Sequence, residues 1–161
     1  MEGSDKSHWV IRAHVVDRAG ALTSIASAFS NEGINIENVV GHGTEEHAHI
    51  AGSVVVTFFC SEDKKDVIVR KLQRSSKVIG LEERPYDSHR LRKSSIMLAT
   101  RELKPVDVAG EKSFLTCELV NMDANGWTYF IAGAPSDLDP VLERLEETGV
   151  VKDLIYSVVG L

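Results

Sequence analysis

The chain is poor in the residues that staple, span or bind polyanions. Only two of its 161 residues are cysteines, Cys60 and Cys117, and they lie in separate apolar runs. That excludes a disulfide framework and a cysteine-rich zinc site, and it reads as two buried thiols in a reducing, cytoplasmic compartment. No apolar run is long enough for a membrane helix. The head, Met1 to Ser7, is polar and lacks the apolar core of a signal peptide. Net charge is −6, with 24 acidic against 18 basic residues, which argues against a nucleic-acid partner needing a basic face. There is no nucleophile elbow, no Cys-His pair and no phosphate loop, so no catalytic set stands out and none is assigned. What remains is 43% hydrophobic and 26% charged residues, the balance of a globular chain long enough for one ordinary domain or two small ones.

The first half alternates in period and type. Trp9, Ile11, Ala13 and Val15 fall on one face of a half-buried strand, His8–Val16, with Arg12 and His14 opposite. A helix follows from about Gly20 to Asn31. Ile34–Val40 forms a second strand. Gly41 to His47 is a polar loop with two glycines, and Ser53–Cys60 is a third, central strand. Ser61 offers an N-cap with acidic residues after it, and that helix runs through Val67, Ile68 and Leu72 to about Ser75. Val78–Leu81 starts a fourth strand. The order βαββαβ is the ferredoxin-like, split-βαβ unit. A sheet edge near Trp9–Val16 is expected to need a partner strand.

Arg84 to Ser94 is charge-rich and carries Pro85. It is read as a linker, giving domains at 8–84 and 95–161 joined by 85–94. In the second half, Ser95–Thr100, Phe114–Val120, Thr128–Ala132 and Val150–Val159 read as strands. Asn125-Gly126 is a hairpin signal. Ser136 opens a helix with Leu138, Val141, Leu142 and Leu145 on one face, Pro140 in its first turn and Gly149 at its close. Pro105 and Gly110 interrupt Leu103–Lys112, where no helix is expected. The fold class is α+β, with two ferredoxin-like domains in tandem and the second incomplete or divergent.

The stretch from Asp17 to Asn38 organises the chain. Leu22, Ile25, Ala26 and Phe29 fall at i, i+3, i+4 and i+7, one face of a helix that Gly33 stops. Gly20 sits where strand turns into helix, and its missing side chain admits a ligand or another backbone. The N–H groups of the helix start point into the same space, where an anion could dock. A plain β-turn-α connection accounts for the same residues, and local chemistry leaves both readings open. His42, His47 and His49, beside Glu45 and Glu46, have the ligand types of a divalent-metal site. Without fixed helical spacing they read as a solvated loop, and no metal site is assigned. Trp127 and Tyr129 are taken as core or interface.

Gly20-Ala-Leu followed by Gly33-Ile-Asn-Ile-Glu-Asn38, within a βαββαβ order, resembles the ACT domain, a small amino-acid-sensing module. The length, the step Arg92-Lys-Ser-Ser-Ile-Met-Leu98 and the ending Ser157-Val-Val-Gly-Leu161 are similar to the small, regulatory subunits of acetolactate synthases, which carry an ACT domain, a linker and an ACT-like domain. The likeness covers roughly residues 8–100 and 129–161.

The resemblance implies a non-catalytic regulatory subunit. It would activate a large catalytic subunit and confer feedback by a branched-chain amino acid, valine foremost. Thiamine diphosphate, magnesium and FAD would belong to the large subunit, with no cofactor on this chain. The effector would bind where two N-terminal domains meet in a homodimer. One chain would supply Asp17, Arg18, Ala19, Gly20, Ala21 and Leu22, and the other Ile34, Asn35 and Ile36. Asp17 stands where the family usually has Asn. The alternative is a free-standing tandem ACT sensor that controls some other protein.

Overall fold

The computed structural model describes residues 6–16, 20–43, 52–108 and 114–160, which fall into two units dividing between Tyr86 and Asp87. The first runs β1 (Ser7–Val15), α1 (Ala21–Asn31), β2 (Ile36–His42), β3 (Gly52–Cys60), α2 (Glu62–Gln73) and β4 (Val78–Pro85). The second runs β5 (Leu91–Ala99), α3 (Pro105–Val108), β6 (Thr116–Asp123), β7 (Gly126–Gly133), α4 (Pro135–Glu147) and β8 (Val151–Gly160). Each unit holds a four-stranded sheet, ordered β2-β3-β1-β4 and β6-β7-β5-β8, with every pair antiparallel. This is the tandem ferredoxin-like, α+β architecture that the sequence implies. Among the described residues, no helix is long and apolar enough to cross a membrane.

The alternation of β1 does what period two requires. Ile11, Ala13 and Val15 are buried on the face that carries the helices, against Ile25, Phe29, Ile68 and Leu72. The ring edge of Phe29 meets Phe58 at 4.8 Å between centroids, fixing α1 on β3. Gly33 ends α1 at φ 65, with Ile34 N–H donating to the Phe29 carbonyl and Gly33 N–H to that of Ser30. Gly149 ends α4 the same way, at φ 69, through the carbonyls of Leu145 and Glu146. Both are the αL closure that satisfies the last helical carbonyls.

Several expectations are corrected. β1 is not an edge: it lies between β3 and β4, and the edges of the first sheet are β2 and β4. Leu22 is 53% exposed and Ala21 takes the buried position, so the apolar face of α1 is Ala21, Ile25 and Phe29. β4 runs to Pro85, because Glu82, Glu83 and Arg84 satisfy one another and their neighbours. Glu82 accepts from His14 (2.9 Å) and Arg84 (3.0 Å), and Glu83 lies 3.4 Å from Lys65. β5 begins at Leu91, four residues before the expected Ser95. Its inward Lys93 is tolerated because Asp139 meets it at 2.6 Å and the Tyr156 ring lies beneath it at 3.9 Å.

In the second unit, Pro105 starts rather than breaks a helix: α3 is a single turn, with Pro in the position that needs no donor. α4 starts at Pro135, not Ser136, so Pro140 falls in its second turn. The β6–β7 hairpin forms, but its tip is Ala124-Asn125. Gly126 opens β7 at φ 140, where any side chain would overlap the Ala99 carbonyl. Beside the shortened α3 lies a cavity of about 430 Å³ walled by Leu103, Pro105, Leu115 and Tyr129.

Candidate functional site

The start of α1 is built by a glycine that no other residue replaces easily. Gly20 is the N-cap at φ 87, a left-handed conformation that L side chains rarely adopt. No side chain caps the helix there, and its first turn holds no acidic residue. The helix start therefore presents backbone N–H groups and the positive end of the dipole, with no capping side chain or first-turn acid among the described residues. A Cβ added to Gly20 would lie 2.8 Å from the Lys77 ammonium.

A cavity of about 360 Å³ opens on this helix start. That volume lies within the range of small-ligand pockets, about 300–1,000 Å³. Gly20, Ala21 and Leu22 form one side, and Val15, Val39 and Val54 give an apolar wall. Gly52 lets the start of β3 come close to both β1 and the end of β2: a Cβ there would sit 3.1 Å from Val15 Cγ2 and 3.2 Å from the His42 carbonyl. His42 also lines the cavity, its Nδ1 at 3.2 Å from the Gly43 carbonyl. The lining suits a small molecule with an anionic group at the helix start and an apolar body against the valines.

Of the effector-binding residues implied by the resemblance, the structure brings Gly20, Ala21 and Leu22 to this cavity. Asp17, Arg18 and Ala19 lie outside the described residues. Ile34, Asn35 and Ile36 stand at the other end of the 11-residue α1, about 16 Å along its axis at 1.5 Å per residue. Ile34 is buried in the core, Asn35 is exposed and Ile36 is half-buried. Within one chain the two groups do not meet. The lining residues that sequence reasoning missed include Val39, Gly41, Gly52 and Val54. The glycines around the loop after β2 are the signal that could have found them, since strand ends that must approach closely favour Gly. Of the histidine cluster only His42 is described; His47 and His49 are not, and the described residues hold no group of three metal-ligating side chains.

Comparison with known proteins bears on this geometry. No curated protein matches the chain. Among solved structures, the acetolactate synthase small subunit of Thermotoga maritima superposes with a TM-score of 0.66 at 14% identity, over 97% of this chain and 96% of that one. Aspartate kinase of Clostridium acetobutylicum, an allosteric enzyme, gives a TM-score of 0.52 at 12% identity, over 88% of this chain and 32% of the kinase. These likenesses establish a shared fold along most of the chain. Residues 9–75 match the ACT domain family model, which spans β1 through α2 and includes the helix start and most of the cavity wall. The N-terminal unit of this chain is an ACT domain.

Proposed function

We propose that this chain is the regulatory subunit of an acetolactate synthase, non-catalytic itself, and that the cavity at the start of α1 receives a branched-chain amino acid, valine foremost. The observation that carries this reading is the combination in one cavity of a helix start with no side-chain cap and a wall of valines. A free amino acid has the matching parts: a carboxylate for the helix amides and an aliphatic side chain for the apolar wall. The whole-chain likeness to a small subunit supports the choice of partner, a large thiamine-dependent subunit that holds thiamine diphosphate, magnesium and FAD.

The cavity opens beside β2, an edge strand of the sheet. Pairing of two copies along β2 would satisfy that edge and set the second copy beside the open mouth. The proposed homodimer therefore uses β2 rather than β1.

Calorimetric titration of the purified chain with valine, leucine and isoleucine tests the ligand, and reconstitution with a large subunit tests the partner. Binding of one of the three, together with severalfold activation of the large subunit, is the expected result. No binding of any of them at millimolar concentration overturns the ligand. Binding without complex formation or activation moves the reading to a free-standing amino-acid sensor.

A further inference from the structure

The cavity beside α3 occupies the same place in the repeated topology as the cavity at the start of α1. Val15 and Ala99 each follow a register shift in an inner strand of their sheet, Val15 opposite Gly52 and Val78, Ala99 opposite Trp127 and Val151. Counted from those two residues, Lys104 and Pro105 stand where Gly20 and Ala21 stand, at the entry to the first helix of the unit. Tyr129 stands where Val54 does, and Cys117 where Val39 does. All four pairs line their cavities, about 360 Å³ in the first unit and about 430 Å³ in the second. The second cavity is lined by residues of its own unit alone.

The residues at those places have changed character. Tyr129 replaces an aliphatic wall with a ring and a hydroxyl, and only 5% of it is exposed. The hydroxyl accepts the Leu103 backbone N–H at 2.9 Å, and its own proton meets no acceptor among the described residues. A buried donor left unpaired is costly, and a bound molecule would supply the missing acceptor. Lys104 is exposed, and its ammonium forms no salt bridge among the described residues. It acts on Asp107 by charge alone, and that carboxylate is already closed by Arg101 at 2.8 and 3.1 Å. Leu103, Pro105, Val108 and Leu115 make the rest of the wall apolar. Gly133 lets Leu115 lie close on β7, since a Cβ there would meet Leu115 Cδ2 at 2.3 Å. Every polar side chain of the lining can thus donate a proton, and none is a carboxylate.

We infer that this cavity is a second small-molecule site, and that its ligand is a monocarboxylate with a compact apolar body and no amino group. The carboxylate accepts the Tyr129 proton, and the flexible Lys104 side chain supplies the counter-charge. The body of the ligand lies against the apolar wall, in a volume of ordinary ligand-pocket size. An ammonium beside the carboxylate would carry a cation into a lining that has no acid to meet it. Side chains here stand in for the helix amides of the first cavity, since α3 is a single turn. The inference holds whether or not the first cavity takes an amino acid.

Cys117 gives this cavity its own reporter, because it lines the wall and is exposed while Cys60 is buried. The probe is hydrocinnamate, which is phenylalanine without its amino group. Phenylalanine itself and the neutral hydrocinnamyl alcohol are the comparisons. The rate of Cys117 modification by iodoacetamide in the full chain is followed by mass mapping. At about ten times its dissociation constant a ligand leaves about a tenth of the sites open, so hydrocinnamate is expected to slow the reaction roughly tenfold. Phenylalanine and the alcohol at the same concentration are expected to leave the rate nearly unchanged. Lys104→Gln is expected to raise the hydrocinnamate concentration needed about fivefold, and Tyr129→Phe about tenfold. Gly20→Asp, a change in the first cavity, is expected to leave the protection as it is. No protection at millimolar hydrocinnamate overturns the inference. So does equal protection by phenylalanine or the alcohol, protection that neither Lys104→Gln nor Tyr129→Phe weakens, or protection that Gly20→Asp removes.

Discussion

Gly20 turns its open side toward Lys77: a Cβ built on the glycine would sit 2.8 Å from the lysine ammonium, closer than ordinary packing allows. The helix start and this cation therefore share one small volume. Gly20→Asp would place a third charge there. The new carboxylate would draw Lys77 and occupy the space at the helix amides, and the backbone would hold an L residue at φ 87. Amino-acid affinity is expected to fall by ten- to a hundredfold, about 1.4–2.8 kcal/mol. Gly20→Ala separates the causes. It carries the same conformational cost, about 1–2 kcal/mol of stability, without the charge. Calorimetry on the two variants checks this: equal losses would show that strain or bulk acts rather than the carboxylate.

Asp107 ties the single turn of α3 to its surroundings. Its carboxylate receives Arg101 at 2.8 and 3.1 Å and the Lys104 backbone N–H at 2.7 Å, and these hold its pKa down to about 2. A carboxylate whose folded pKa lies below its ordinary 3.8 contributes stability that is complete above the unfolded value and is lost as pH falls through the folded one. The contribution should therefore be present at pH 5 and disappear between about 4 and 2. Asp107→Asn should remove it at neutral pH and flatten that part of the stability profile. Urea midpoints at pH 5, 3.5 and 2.5 for both proteins make the comparison.

Pro140 sits in the second turn of α4, where its ring denies the Ser136 carbonyl a helical partner. The flanking Leu138, Val141 and Leu142 are buried, so packing holds the helix despite the break. Pro140→Ala should regain the hydrogen bond and relieve the ring contact, offset by about 0.4–1 kcal/mol from a more flexible unfolded chain. A net gain of about 1–2 kcal/mol in unfolding free energy is expected. A lower midpoint in the variant would mean that the proline ring contributes packing that the backbone argument omits.

The two cysteines should separate in reactivity. Cys60 is 2% exposed at the end of β3, and burial raises its thiol pKa despite the neighbouring Lys64 and Lys65. Cys117 is exposed on β6, with a thiol raised by partial burial alone. Under native conditions near pH 8 a thiol reagent should modify one cysteine per chain, at Cys117, and reach the second only on unfolding. Mass mapping of the labelled peptide identifies the site.

Much of the fold was legible because a few residues have single physical uses. Gly33 and Gly149 had to end helices, since the closing conformation is cheap only for glycine, and both do. The alternation Ile11-Ala13-Val15 named the inner face of β1. Reading failed where a polar residue stands in a structured position through a partner distant in sequence. Lys93 looks like linker until Asp139 is seen beside it, 46 residues on, and the charges of Glu82–Arg84 look solvated until β1 is laid alongside. Leu22 was misplaced by a rotation of one residue, which periodicity over three turns does not resolve. The site was half legible. Gly20 stands out by its place at the helix start, and Ala21 and Leu22 come with the resemblance, but Val39, Gly41 and Val54 arrive only when β2 and β3 fold back past the helix start.

The one-turn α3 makes the duplication unequal. A helix of four residues aligns too few peptide dipoles to offer an anion much at its start, whereas the eleven of α1 offer the full effect. The cavity beside α3 is lined by Lys104 among mostly apolar residues. Two halves with one topology have thus been left with different electrostatics at matching places. Of the two, only the first unit has a helix start long enough to draw a carboxylate strongly.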